Sequence, residues 1–566
     1  MRFLPVTPGA LLVELPDLSQ TLALLHALQS QPIEGVSEIV PAARTLLISY
    51  EPWRWQPAPL AAQVRALAAQ MQAGWLTQAE EIVRIPVRYD GEDLAEVAAH
   101  LGLSAQQVIE RHCARPWQVA FVGFAPGFAY LSDGDAVFDV PRRASPRTRI
   151  PPGAVALAGR FSGIYPRASP GGWQLIGQTD VPMWDLQRSP PALLQPGQSV
   201  QFVDVATPEG RLLQQQWSER LQAGSAAPAS ATNSAPNSAP NSAPNSAPTV
   251  DGHTLEIVQP GLQALVQDLG RSGHAGQGVS ASGALDRAAF LAANRLVGNH
   301  HNAPALELLH GGFCLRVHGH AVVAVTGAEG PLTLRRMDGL AMNAARHTPL
   351  ALEAGDTLTL GAPEAGLRSY LAVRGGLAVA PVLGSCATDT LSGVGPAPLA
   401  AGQLLRIGHH ENAHPGWHAA SVAAHAESAL PHLPRTGHSA DTVWLDLHLG
   451  PRTDWFSADA VRLLLEQPWQ VTAQSNRVGL RLSGRQPLTR AAAFEGQELP
   501  SEGTALGALQ VPANGQPVLF LADHPLTGGY PVIACVAAHH LDLAAQLPAG
   551  ALVRFRAHQP FEEIQP

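Results

Sequence analysis

Residues 121–131 read FVGFAPGFAYL, and residues 163–177 read GIYPRASPGGWQLIG. Between them, residues 141–147 read PRRASPR. Glycine and proline reach this density where the backbone must follow one particular path. From Val119 onward, short β-type runs alternate with such Gly/Pro turns, which predicts a barrel or sandwich rather than a helical bundle. Arginines and aromatic rings are set into the same rigid loops, a composition that suits a small-molecule site better than a core.

The composition narrows the options. A chain of 566 residues with 46% hydrophobic residues can bury several cores. Only 14% of residues are charged, and the net charge is -9, so there is no basic footprint for nucleic acid. No apolar run is long enough to cross a bilayer. The opening MRFLPVTPGALLVELPDL is broken by Pro5, Pro8, Glu14 and Asp17 and does not read as a signal peptide, so a cytoplasmic location is expected. Cys113, Cys314, Cys386 and Cys535 lie far apart, with no CxxC pair, which speaks against a zinc ribbon or a disulfide framework. The chain contains no lysine, so all 36 basic side chains are arginine. That excludes a Walker A loop, a protein-kinase fold, Schiff-base chemistry and covalent biotin on this chain. Any bound phosphate or carboxylate must be held by Arg, by main-chain N–H groups or by a metal.

The clearest boundary is residues 223–249, where AGSAAPASAT runs into NSAP repeated four times. Such a stretch cannot bury a core and reads as a disordered tether. It separates residues 1–222 from 250–566, and a softer Ala/His/Pro-rich seam spans 409–439. Residues 1–80 look α+β, with Leu60, Val64, Leu67, Ala68 and Met71 on one helix face. Residues 92–101 suggest another helix. Ser104 with Gln107 predicts a capping box on a helix ending near His112, with Val108 and His112 sharing a face. In the second half, 321–326, 356–360, 369–373, 518–522 and 532–536 are candidate strands. Asp286 is placed to cap a helix running to Val297, and Ser457 to cap one over 458–466. The expected class is mainly β with some α: barrels in both halves and a small α+β N-terminal subdomain.

Several constellations bear chemistry. The loop with Phe124, Pro126, Gly127 and Phe128 either walls a pocket and offers N–H groups to an anion, or is a rigid turn with core aromatics. Arg142, Arg143, Arg147 and Arg149 crowd a loop punctuated by Pro141 and Pro146; Arg forks suit carboxylate or phosphate, and a solvated charge run is the alternative. Arg160, Tyr165, Gly171, Gly172 and Trp173 form the most specific string, with Gly171–Gly172 allowing close approach and Trp173 available to stack. In VQDLGR, Asp268 and Arg271 flank Gly270, as a structural ion pair or as part of a site. Asp286 at a helix N-terminus reads first as a cap. Glu307, in the apolar run ALELL, needs a partner. Asn476, Arg477 and Arg481 lie in SNRVGLRL. Asp523, Gly528, Gly529 and Tyr530 lie in DHPLTGGYP, where a carboxylate at a strand end beside a Gly turn suits general-base work or an Asx turn. His300, His301, His310, His318 and His320 lack a matching carboxylate pattern, so no metal site is expected.

As a set, these strings resemble two families. FVGFAPGFAYL, PRRASPR and GIYPRASPGGWQLIG look like the B subunit of ATP-dependent 5-oxoprolinase, the KipI-like family. PGLQALVQDLGRSG, SGALDRAAFLAANRLVGN, SNRVGLRLSG and DHPLTGGYPVIA look like the C subunit, the KipA-like family. Both are similar to the carboxyltransferase-type domains of urea carboxylase and to proteins labelled allophanate hydrolase subunits. The resemblance implies cyclophilin-like β barrels in residues 81–222 and 250–566. It implies opening of 5-oxo-L-proline (pyroglutamate) to L-glutamate with ATP and Mg²⁺, together with a separate A subunit, with a homo-oligomer possible. Beside the resemblance, the two halves are expected to form a composite pocket in which Arg142, Arg147 and Arg160 bind anions and Asp268, Asp286 and Asp523 supply catalytic carboxylates. Two departures stand out: Gln178 follows LIG where the family has Arg, and TPGALLVEL lacks the family's Asp. The rival readings are a KipI-like inhibitor of a sensor histidine kinase and an amidase or carboxyltransferase component acting on urea-derived compounds.

Overall fold

The computed structural model describes residues 1–70, 82–132, 136–143, 145, 147–226, 253–408 and 442–566. Met71, Pro146, residues 227–249 of the expected tether and the seam 409–439 lie outside the described residues. The tether's first residues, 223–226, belong to the helix Pro208–Ala226.

The N-terminal subdomain is a four-stranded antiparallel sheet that backs onto two helices, Leu18–Ser30 and Pro57–Ala69. Leu60, Ala61, Val64 and Leu67 are the buried face of the second helix, as their spacing predicts. Two seven-stranded barrel-like sheets follow, one in each half, and the second is a closed barrel. Between them in sequence, residues 253–408 build a further β body from a six-stranded and a five-stranded sheet. The chain is therefore mainly β.

The two barrels share a construction. In the first, strand Ile82–Val87 runs parallel to Ser199–Asp204, which pairs antiparallel with Trp117–Val122. In the second, Thr442–Leu449 runs parallel to Leu552–Ala557, which pairs antiparallel with Trp469–Val471. Each barrel has a helix immediately before a buried Trp, and each indole donates to a carbonyl five residues back: Trp117 to His112 O and Trp469 to Leu464 O, both 3.0 Å. The Ser104 capping box forms as expected, and Ser457 caps Ala458–Glu466.

The halves interlock. Gly127 N donates to Gln277 O (3.0 Å), Ala43 N to Ser501 O (3.0 Å) and Phe124 N to Thr527 Oγ1 (3.2 Å). Arg452, 1% exposed, reaches both Glu502 of its own barrel and Glu14 of the N-terminal sheet. One apolar cluster contains Leu4, Leu12 and Leu47 from the first half and Phe520, Leu526 and Val532 from the second. Burying such surface in common holds the two halves in register.

Candidate functional site: a cavity shared by the two halves

A cavity of about 790 Å³ opens where the N-terminal subdomain, the first barrel and the loop 498–501 of the last barrel meet. Its wall carries three guanidinium groups, those of Arg44, Arg142 and Arg160. Tyr130, Trp173 and Phe161 complete the side facing the first barrel, and Ser501 faces them from the loop of the last barrel. Its size and mix of apolar wall with a few cationic groups suit a small anionic ligand.

The wall is rigid because the Gly/Pro loops fold as one aromatic cluster. Phe124 stands edge-on to Phe128 (ring centroids 5.3 Å) and Tyr165 (6.1 Å), and Phe128 edge-on to Trp173 (5.2 Å). Phe124 adopts φ 63°, a left-handed conformation unusual for an aromatic residue. The turn that follows it, through Pro126 and Gly127, is clamped against Gln277 and Thr527 of the second half. Trp173 is only 6% exposed, so it serves as wall rather than as an open stacking platform. Tyr165 is buried, its hydroxyl pressed so close to Gly171 that any side chain there would overlap it.

Arg142 is the residue that joins the two halves of the site. A Cβ built on Gly529 would sit 3.0 Å from Arg142 Nη1, so the guanidinium lies in tight contact with the Gly529 backbone. Gly528 and Tyr530 flank this contact, and Tyr530 is 43% exposed. Arg160 reaches the cavity rim and has Asp139 at 3.8 Å, a loose surface pair that leaves its fork available. Arg147 is placed differently. It donates to both oxygens of the buried Asp93 (2.9 and 2.8 Å) and to Glu92 (3.0 Å), and Arg143 donates to the same Asp93 (2.7 Å). That carboxylate also accepts Leu175 N; burial works to raise its pKa, and the arginines and N–H outweigh burial and hold it below the usual range. Arg147 is therefore a strut of the loop, with its fork already filled.

The carboxylates singled out in the second half do not line this cavity. Asp286, Glu307 and Asp523 belong to a buried polar network between the barrel and the β body of residues 253–408, and Asp268 lies within that β body. Arg477 binds Asp523 through two hydrogen bonds of 2.9 Å and Glu307 at 2.5 Å. Glu307 also accepts from Tyr370 Oη (2.8 Å) and Leu285 N (3.0 Å), the partners its apolar setting demands. Asp523 accepts further from Ser282 Oγ (2.6 Å) and from Thr390 N and Oγ1 (2.8 and 2.7 Å). Asp286 caps the helix Arg287–Leu296 through Ala289 N and receives Gln546 Nε2 at 2.6 Å. Burial pushes its pKa up to about 7. Asp268 and Arg271 do not pair directly. Asp268 accepts from Ser385 Oγ, Cys386 N and Gly270 N, while Arg271 donates to Val382 O and Ala387 O, so the two brace one loop from either side. Asn476 accepts the N–H of Val478 in an Asx turn, and Arg481 is exposed on the strand after it. The lone pairs of these carboxylates are filled by protein donors, so the first role of Asp286, Glu307 and Asp523 is to join two β bodies and that of Asp268 is to brace a loop within one of them.

Two features had no signal in the sequence pattern. Asp389 accepts from Ser280 (2.9 Å), and burial, then the nearby charge of Asp523, raises its pKa. Arg167, from the PRASPGG string of the first half, lies against Gly393 and within the field of Asp389. Tyr130 and Ser501 likewise became visible as cavity residues only once the halves were placed together.

Two family descriptions match the chain: "Carboxyltransferase domain, subdomain C and D" over residues 1–194 and "Carboxyltransferase domain, subdomain A and B" over 277–557. The second half is similar to the 5-oxoprolinase C subunit of Escherichia coli (strain K12), 37% identical over 307 residues that make up 53% of this chain and 90% of the relative. The first half is similar to the 5-oxoprolinase B subunit of Bacillus subtilis (strain 168), 36% identical over 203 residues, 33% of this chain and 85% of the relative. The whole chain is similar to the crystal structure of TTHA0988, with a TM-score of 0.74 and 31% identity, covering 97% of this chain and 99% of the other.

Proposed function

The chain belongs to the carboxyltransferase-domain family that includes the 5-oxoprolinase B and C subunits, and from that premise we propose that it is the fused B and C component of an ATP-dependent 5-oxoprolinase. In this reading it acts with a separate A subunit to open 5-oxo-L-proline to L-glutamate. The observation that carries the reading is the position of Arg142: a guanidinium of the first half held against Gly529 of the second, in a cavity whose other cations are Arg44 and Arg160.

A five-membered lactam resists hydrolysis at neutral pH. Transfer of the γ-phosphoryl group of ATP to the lactam oxygen, with ADP leaving, makes the ring carbon electrophilic. Water then adds to that carbon, the C–N bond breaks with nitrogen leaving as the amine, and a second water releases phosphate from the acyl phosphate. Arg44, Arg142 and Arg160 supply the fixed positive charge that binds the substrate carboxylate and steadies the migrating phosphoryl group. Mg²⁺ enters with ATP as part of that co-substrate and needs few protein ligands; two exposed carboxylates lie on the wall, Glu498 and Asp17, and Asp17 already caps the helix Leu18–Ser30.

The test is to co-purify the chain with a candidate A subunit, then measure glutamate released from 5-oxoproline with and without ATP. ATP-dependent release that falls in Arg142→Ala supports the reading. Absence of ATP-dependent glutamate overturns it, and inhibition of a sensor kinase's autophosphorylation in the same preparation selects the regulatory alternative.

A further inference from the structure

A second cavity, of about 630 Å³, shares no lining residue with the first. It lies where Pro5 and Pro8 of the N-terminal sheet meet the barrel strand Thr442–Leu449 and residues 558–562. Asp446, His448, His539 and His558 line it.

The groups are arranged around one carboxylate. Asp446 is 10% exposed on its strand. Arg556, its register partner on the adjacent parallel strand, donates Nε (2.8 Å) and pairs through Nη2 (2.7 Å), both to Oδ1. Oδ2 is left to the imidazoles: His539 Nε2 lies at 3.1 Å and His558 Nε2 at 3.3 Å. His540 has a different task. Its Nδ1 accepts the backbone N–H of Asp446 at 2.8 Å, which fixes the strand against the turn Ala538–His540 and places the proton on its Nε2. Donors bound about 2.0–2.1 Å from a tetrahedral ion lie roughly 3.3–3.4 Å from one another, close to the two Asp446–imidazole separations, whereas the nitrogens of His539 and His558 stand further apart than this and have to turn towards the ion.

We propose that Asp446 Oδ2, His539 Nε2 and His558 Nε2 form a binding site for a late first-row divalent cation, best fitted by Zn²⁺, with His448 on the same cavity wall as a further donor. Imidazole and carboxylate together select this class of ion over Mg²⁺ or Ca²⁺. Arg556 acts from behind, orienting the carboxylate so that Oδ2 faces the cavity. The His539 and His558 side chains are 65% and 60% exposed, so both rings have room to turn about their side-chain torsions and close on one ion. The open cavity leaves the remaining coordination positions to water or to a ligand.

The experiment uses the full chain without an affinity tag, stripped with chelator and titrated with Zn²⁺ by calorimetry, with Co²⁺ absorption as a second readout of donor geometry. His539→Ala/His558→Ala is expected to remove one tight Zn²⁺ equivalent, or to weaken it at least about tenfold, and to abolish the Co²⁺ band of that site. Both rings are exposed, so this variant keeps its fold; His301→Ala is the control that leaves binding unchanged. The histidines between 409 and 438 are present in every protein compared, so the difference reads this site. Equal stoichiometry and affinity in wild type and double variant, or no stoichiometric binding by wild type, overturns the proposal.

Discussion

Arg477 grips Asp523 through two parallel hydrogen bonds, Nε to Oδ2 and Nη2 to Oδ1, each 2.9 Å, with the two side chains 2% and 0% exposed. The same guanidinium reaches Glu307 at 2.5 Å. One arginine of the barrel thus ties down carboxylates from the barrel and from the neighbouring β body. Such a pair costs desolvation on both sides, and removing one member leaves the other charged, buried and alone.

Asp523→Asn and Arg477→Met should each destabilise the second half by roughly 3–5 kcal/mol. A lowered denaturation midpoint followed by fluorescence and by circular dichroism is the expected result. Arg477→Met/Asp523→Leu should recover part of the loss. An unchanged midpoint in Asp523→Asn, combined with lost turnover, would instead make Asp523 a catalytic group.

Arg142→Ala should behave in the opposite way. Its guanidinium is half-buried on a cavity wall, with no ion pair among the described residues, so stability should hold. Losing one charged hydrogen-bonding partner costs about 1.5–3 kcal/mol of ligand binding, or roughly 10–100-fold in KM for the anionic substrate. Steady-state kinetics alongside a melting curve separates the two effects.

The contact between the halves is tight at Gly123, where a Cβ would overlap Thr527 Oγ1. Gly123→Ala should therefore strain the clamp on the Phe124 loop and cost about 1–3 kcal/mol. Faster proteolysis or hydrogen exchange of residues 121–131 and 523–531 together is the outcome to look for. Change in only one of the two segments would argue against mechanical coupling.

Acid should loosen the first barrel through His112. The ring is fully buried between Tyr89 Oη (2.7 Å) and Ser162 Oγ (2.9 Å), stacked on Phe202. Burial depresses its pKa from 6.5 to about 3. The unfolded chain takes up a proton below pH 6.5 and the folded chain does not, so this contribution is present above 6.5 and is lost as pH falls towards 3. Asp286 acts in the other direction. Its carboxyl is raised to about 7, so its stabilising contribution is full below the unfolded value of 3.8 and declines as pH rises through 7. Unfolding midpoints across about pH 4–8, compared with His112→Gln and Asp286→Asn, should lose the acid-side and neutral-side slopes respectively.

Local chemistry made much of the fold legible. The Ser104–Gln107 capping box, the Asp286 and Ser457 caps and the strand Val532–Val536 are contact patterns spanning a few residues, and they appear as the sequence indicates. The roles of the charged groups were not legible in the same way. Arg142 and Arg147 each follow a proline within one short stretch of sequence, yet one faces a cavity and the other is filled by Asp93. Nothing within the loop distinguishes them, because Asp93 comes from the start of a helix and Gly529 from the other half of the chain. The histidines around Asp446 show the same limit: they stand about ninety and more residues away along the chain and meet only when the barrel closes.

The sequence by itself determined the class of structure, the family strings and the reliance on arginine, since turn stereochemistry, helix capping and the absence of an ammonium side chain are properties of neighbouring residues or of composition. Only the tertiary structure decided which arginines remain open to a ligand and which carboxylates are bolts between β bodies. The reason is physical: a charged group's availability depends on whether a distant segment brings it a counter-charge and excludes water, and that is settled when the two halves close on each other.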